Sequence, residues 1–152
     1  MYDVPQRHPR FGVLPPSIDA VISALRRTTG RRFQPSGEVA LNRLGLSEQV
    51  PAVETYVTDG PTRQLSVLGQ TILFRRVARR RIAAEGTVVG LVLEAIRALG
   101  MEGADEATID RIRRILDEPD RIRLARLATA LPERLRGVLA RAVDSAPPGT
   151  TR

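Results

Sequence analysis

A chain of 152 residues, 42% of them apolar, is long enough for one domain with a sizeable core and too apolar to be disordered throughout. No apolar run approaches the roughly 20 residues of a membrane span, the first ten residues lack the apolar stretch of a secretory signal, and the absence of cysteine removes disulfides, thiolate metal sites and cysteine nucleophiles. Net charge is +7, every one of the 24 basic residues is arginine, and the excess lies wholly in residues 1–81, because 82–152 balance 11 Arg against 11 acids; a soluble, cytoplasmic protein with an anionic partner is expected.

Taken in chain order, residues 1–16 carry Pro5, Pro9, Pro15 and Pro16 and read as an extended arm, with one short strand near Tyr2–Val4. Ser17 can cap a first helix whose apolar stripe is Ile18, Val21, Ile22 and Leu25, with Gly30 at its C-terminal end. Arg31–Gln34 is extended, and a short helix Glu38–Leu44 follows between Gly37 and Gly45. Glu54–Thr58 and Arg63–Leu68 alternate with period two, and the Asp59-Gly60 pair between them predicts a hairpin, lengthened by Pro61. Gly69-Gln70 turns the chain into Thr71–Val77, so three antiparallel strands in a meander are expected.

From Val77 onward the period is helical. Thr87–Leu99 is apolar on nearly all faces and predicts a central core helix stopped at Gly100. Asp105 can cap a helix carrying Ile109, Ile112, Ile115 and Leu116. Asp120–Leu131 follows Pro119, and Pro132 suits the first turn of a last helix with Leu135, Val138, Leu139 and Val143. The expected organisation is an arm at 1–16, a single α+β domain at 17–143, and a disordered tail at 144–152. The fold class is α+β: a small, about three-stranded antiparallel sheet on about six helices, with a helical C-terminal half.

Chemistry-bearing patterns are few. His8 is the only histidine and lies among the prolines of the arm, so no imidazole is available beside Ser36-Gly37 to make a nucleophile. The acid clusters Asp105-Glu106 and Asp117-Glu118-Pro119-Asp120 fall where helix N-termini favour negative charge. No metal, cofactor or catalytic residue is assigned, and an enzyme is not expected. The run FRRVARRR (74–81) is the sharpest feature. If helical, it pairs Arg75 with Arg79 and Arg76 with Arg80 on shared faces, beside Arg81. Such a cluster can fork onto phosphates or meet an acidic protein surface; a solvated connector is the plain alternative. Arg26, Arg27, Arg31 and Arg32 form a second group, where cations also complement a helix C-terminus. Only five aromatics exist, so base stacking on a sheet face is weakly supported, and nucleic-acid contact would be electrostatic.

The stretch RRFQPSGEVALNRLGLSEQVPAVETYVTDGPTRQLSVLGQTILFRR (31–76) resembles the effector domain of AbiEi-type antitoxins, in a bacterial branch of otherwise unknown function. The matching positions are Pro35, Ser36, Gly37, Ala40, Leu41, Gly45, Leu46, Tyr56, Thr58, Asp59, Gly60 and Arg63, and the likeness extends from about Tyr2 to Val143. Bends and packing account for most of them, whereas Arg63, Arg75 and Arg76 are expected to face a partner. The resemblance implies a role in countering a partner nucleotidyltransferase toxin by binding. It also implies an N-terminal winged helix-turn-helix that is absent from this chain, whose opening looks like the end of that wing and the following linker. Partner- or nucleic-acid-binding residues are therefore expected among Arg31, Arg32, Arg63, Arg75, Arg76, Arg79, Arg80 and Arg81. The alternatives are a nucleic-acid-binding accessory or regulatory protein, and a structural domain that mediates self-association.

Overall fold

The computed structural model describes residues 7–8, 12–13 and 18–144, which divide into two compact units, 1–31 and 32–152. The expected strand at Tyr2–Val4, the Ser17 cap and the tail after Asp144 lie outside the described residues. In the first unit, β1 (Arg7–His8) pairs antiparallel with β2 (Gly12–Val13). Helix α1 (Ile18–Thr29) carries the expected apolar stripe. Its last turn is closed by Gly30, whose N–H donates to the Arg26 carbonyl at 3.0 Å, and by the Thr28 and Thr29 hydroxyls, which donate to the carbonyls of Ala24 and Leu25.

The second unit is α+β, as expected, but its sheet differs from the meander. Strands β3 (Phe33–Pro35), β4 (Val53–Thr58), β5 (Arg63–Val67) and β6 (Gln70–Arg76) lie in the order β3-β4-β6-β5. The β3–β4 and β5–β6 pairs are antiparallel and β4–β6 is parallel, so the sheet is four-stranded and mixed. The hairpin predicted at Asp59-Gly60 is not formed. The true hairpin is β5–β6, turned by Leu68 and Gly69, both at positive φ (52° and 80°), the pairing a two-residue turn requires.

Two features place β6 between β4 and β5. Its Ile72 and Phe74 are fully buried, whereas Arg63, Gln64 and Ser66 of β5 are exposed, so the polar strand takes the edge. The 59–62 connection then passes over the end of β6, a step of about 9.6 Å for two strand spacings, within the reach of four residues at about 3.3 Å each. It is tied down on the way. The Thr58 hydroxyl accepts from Gly60 N–H at 3.0 Å, the Thr62 hydroxyl accepts from Arg76 N–H at 2.9 Å, and the Thr58 carbonyl accepts from Val77 N–H at 2.9 Å.

Helix α2 (Gly37–Arg43) begins at Ser36, and α3 (Val88–Gly103) begins at Thr87, whose hydroxyl accepts from Gly90 N–H at 3.2 Å. The predicted stop at Gly100 survives as a break, φ 65° and ψ −169°, before one further turn. Helix α4 (Glu106–Ile115) is capped by Asp105, as expected. Helix α5 (Glu118–Arg126) starts before Pro119, not after it. Asp117 accepts from Asp120 N–H at 2.9 Å while Asp120 accepts from Asp117 N–H at 3.2 Å, a reciprocal cap that holds the proline in the first turn. Pro132 opens a 3₁₀ turn (Glu133–Leu135) that leads into α6 (Arg136–Val143). Val89, Val92, Leu93 and Ile96 of α3 form the centre of the core, against Ile109, Ile112, Leu124, Leu135, Val138 and Leu139. A second buried group lies on the sheet, where Phe33 meets Phe74 edge-on at 5.3 Å and Tyr56 stands 6.2 Å from the same ring.

Helix α3 is seated on β3 through Gly90. A Cβ there would lie 2.4 Å from the Ala84 carbonyl oxygen and 2.6 Å from Gln34 Oε1. Both atoms are fixed, the first by the backbone and the second by a side chain only 1% exposed. Gly90→Ala is therefore expected to destabilise the protein by about 2–3 kcal/mol in chemical denaturation, the cost of overpacking. Gly137→Ala, on α6 with nothing within 4 Å, is expected to be neutral or stabilising by up to about 1 kcal/mol.

Candidate anion-binding site

The FRRVARRR run does not form a helix. Arg75 and Arg76 end β6, and Arg79–Ile82 is a single 3₁₀ turn, so the predicted helical face-sharing of Arg75 with Arg79 and Arg76 with Arg80 is replaced by a split into two groups. The β-branched and aromatic residues Thr71, Ile72 and Phe74 carry the strand through Arg76, and Val77 still donates to the sheet. Only after that hydrogen bond is the chain free to turn.

The first group is a collar at the 59–62 connection. Asp59 is its anchor, only 6% exposed. Its Oδ1 accepts from Arg32 N–H at 2.9 Å, and its Oδ2 accepts from Arg79 Nε at 3.3 Å. The Arg32 hydrogen bond holds the Asp59 carboxyl below its usual range; burial opposes this, and the Arg79 guanidinium adds to the lowering. Arg79 remains 75% exposed, so its charge is offered outward while one nitrogen is tethered. Arg63 lies over the Phe74 ring, 5.9 Å from its centroid. Arg32, Arg63, Arg76 and Arg79 are all exposed, and Asp59 is the carboxylate that bonds to two of them. Arg31 belongs to the first unit and is exposed; its N–H donates to the Thr29 hydroxyl at 3.1 Å.

The second group lines a pocket of about 450 Å³ formed by Val77, Ala78, Arg80 and Arg81 on one side, Arg97 of α3, and Thr129, Ala130, Leu131, Pro132 and Arg136 on the other. Arg81 is held by a bidentate pair with Glu94: Nε and Nη2 donate to its two oxygens at 3.0 and 2.8 Å. Glu94 is 1% exposed, in the middle of α3. Arg97, three residues on, donates from Nη2 to the Ala130 carbonyl at 2.5 Å, while its buried Nε has no hydrogen-bond partner. Burial lowers the Arg97 pKa from its ordinary value, and the charges of Arg81, Arg134 and Arg75 push the same way against the favourable charge of Glu94. Arg80 is exposed at the rim. Among the described residues, no acidic side chain lines the pocket.

Sequence reasoning located Arg80 and Arg81 but missed Arg97 and Arg136. Both sit in the half of the chain whose net charge is zero, where Asp105, Asp117 and Asp120 are spent as helix caps and Glu106, Asp110 and Glu118 pair with Arg113, Arg141 and Arg121. A signal was present. Glu94 and Arg97 interrupt the apolar face pattern of Val88–Leu99, and charges inside a core helix need partners. Among the described residues no group of three or more His, Cys, Asp or Glu could hold a metal ion, and no helix is long and apolar enough to cross a membrane.

Two outcomes follow. Glu94→Gln leaves the buried end of Arg81 without its counter-charge and is expected to cost about 3–5 kcal/mol in denaturant melts, most of it regained in the double variant Arg81→Met/Glu94→Leu. Asp59 has a lowered pKa in the folded chain, so its contribution is complete above the ordinary aspartate value and is lost as pH falls through the depressed folded one. The stability gap between the native chain and Asp59→Asn should therefore be constant above about pH 5 and close as pH falls below about 4.

No curated protein and no solved structure matches this chain. A family model described as a family of unknown function, DUF6088, matches residues 1–124, which includes the collar and Arg80, Arg81 and Arg97 of the pocket but ends before Arg136. With more than three quarters of its length so matched, the chain belongs to DUF6088, a family of unknown function.

Proposed function

We propose that this chain is an antitoxin-like effector domain that counters a partner nucleotidyltransferase toxin by binding it, and does so without catalysis. The observation that carries the reading is the collar: four exposed arginines near the end of the sheet, two of them bonded to the buried Asp59 carboxylate, Arg32 through its backbone N–H and Arg79 through its side chain. An acidic protein surface fits such a patch, because exposed guanidiniums on a fixed backbone steer and orient an oppositely charged partner. The sequence likeness to AbiEi-type effector domains over residues 31–76 supports the same choice of partner, since that stretch builds β3, α2 and the whole sheet through Arg76. The collar residues Arg32, Arg63 and Arg76 lie within it.

Co-expression tests this directly. A nucleotidyltransferase-like toxin encoded beside this gene should lose most of its growth inhibition when the chain is supplied, and Arg63→Ala/Arg76→Ala/Arg79→Ala should restore growth inhibition by at least about tenfold in plating efficiency, as loss of several interfacial charges implies. If the chain, and a version extended by a winged helix-turn-helix, both leave the toxin fully active, the role is excluded.

A further inference from the structure

The pocket between the 3₁₀ turn and the α5–α6 connection is separate from the collar and uses different side chains. Four arginines, Arg80, Arg81, Arg97 and Arg136, are among its lining residues, and Val77, Ala78, Leu131 and Pro132 supply apolar wall. Glu94 neutralises only one of them. Its two oxygens are both taken by Arg81, which leaves Arg81 Nη1 outside the pair. Arg97 cannot swing away, because its Nη2 is fixed on the Ala130 carbonyl, and Arg136 is drawn to the same segment through Nε on the Ala128 carbonyl at 3.3 Å. The arrangement holds cations together that repel one another, and Glu94 is the one acidic side chain among the described residues shown to offset them, paired to Arg81 and acting at longer range on Arg97. Arg75 and Arg134 add to the same field.

We propose that this pocket is a binding site for a polyphosphate anion. The guanidinium fork matches two phosphate oxygens at once and keeps its charge in a partly desolvated site, which an ammonium does less well. Several guanidinium charges around one concavity suit a ligand with several adjacent anionic centres, and polyphosphates offer that at the closest spacing. The volume agrees. At about 30 Å³ per water-sized group, 450 Å³ holds about fifteen non-hydrogen atoms, which corresponds to two or three linked phosphates. The hydrogen bonds that restrain Arg81, Arg97 and Arg136 are formed already, so little side-chain entropy remains to be lost when the anion enters. Linked phosphates come from two sources, a free polyphosphate such as a nucleoside triphosphate, or consecutive phosphates of a nucleic-acid strand. The inference does not depend on the toxin reading, since the pocket can fill or stay empty whatever the collar binds.

Calorimetric titration of the full chain with sodium tripolyphosphate, ATP and a twelve-residue single-stranded oligonucleotide tests it. Tripolyphosphate should bind and raise the melting temperature, with affinity falling as salt increases. Arg136→Ala, an exposed position whose loss leaves the core intact, should weaken binding about tenfold, and Arg97→Lys should do at least as much because it removes the fork. Arg63→Ala and Arg79→Ala, in the collar, should leave it unchanged. Equal loss of tripolyphosphate and ATP binding assigns the site to free polyphosphates. Binding of the oligonucleotide that falls with the same two variants assigns it to a nucleic-acid backbone. Failure of all three ligands to bind, binding unaltered by Arg136→Ala and Arg97→Lys, or equally tight binding of hexaglutamate, overturns the proposal.

Discussion

A carboxylate buried to 1% exposure in the middle of a core helix loses its hydration and needs hydrogen-bond donors fixed against it, and Glu94 has them in Arg81. That pair dictates much of what surrounds it. It pins the 3₁₀ turn Arg79–Ile82 to α3, and the chain leaving β6 enters that turn through the extended Ala78 and does not run on as the helix its sequence suggests. With the turn held there, Arg80 is left on the rim beside the guanidinium that Arg97 extends from the next turn of α3. The pocket is the space that remains once this geometry is satisfied. Its cationic wall is thus a by-product of burying Glu94 only in part, because Arg97, Arg136 and Arg80 are not needed for that purpose.

The same helix is fixed at its other end by the absence of a side chain. At Gly90 the backbone of α3 approaches Ala84 and Gln34 too closely for any Cβ, and this seats the helix on the edge strand β3. One contact sets the height of α3 above the sheet and the other its attachment to the turn that leaves β6. Between them they hold the collar and the pocket on one rigid frame, since the β6 strand that ends in Arg75 and Arg76 leads directly into the turn.

The helices were readable because each buries one periodic stripe, and the cap at Asp105 announces itself by residue type, whereas Pro119 hid the start of α5, which lies one residue before it under the Asp117 cap. Strand order was not readable in the same way. Alternation identifies a strand and its exposed face, but position within the sheet depends on which strand can be covered on both sides. Ile72 and Phe74 qualify β6 for the interior, and the charged β5 is left at the edge. The Asp59-Gly60 signal pointed to a hairpin because local turn chemistry is indifferent to whether the chain returns beside its own strand or steps over the next. Pro61 and the Asp59 side chain, spent on Arg32 and Arg79, favour the wider crossing. The site was half legible for a related reason. A run of arginines is visible as a run, but Arg97 and Arg136 each stand alone in sequence and meet Arg80 and Arg81 only through the fold.

The two arginine groups differ in how far they are prepared for a partner, and this difference bears on what each can bind. In the collar, Arg79 is tethered by one nitrogen and Arg63 rests on an aromatic ring, yet all four side chains remain largely in water. Such charges act mainly on encounter and orientation, they are screened by salt, and each contributes little by itself. In the pocket, Arg81 and Arg97 have given up most of their freedom to protein acceptors before any ligand arrives. Their mutual repulsion is a cost carried by the unliganded fold, offset in part by Glu94, and an anion small enough to enter would relieve it further. A broad acidic surface answers the first arrangement and cannot reach into the second. On the proposed readings, the collar suits negative charge spread over a surface and the pocket suits negative charge concentrated in linked phosphates.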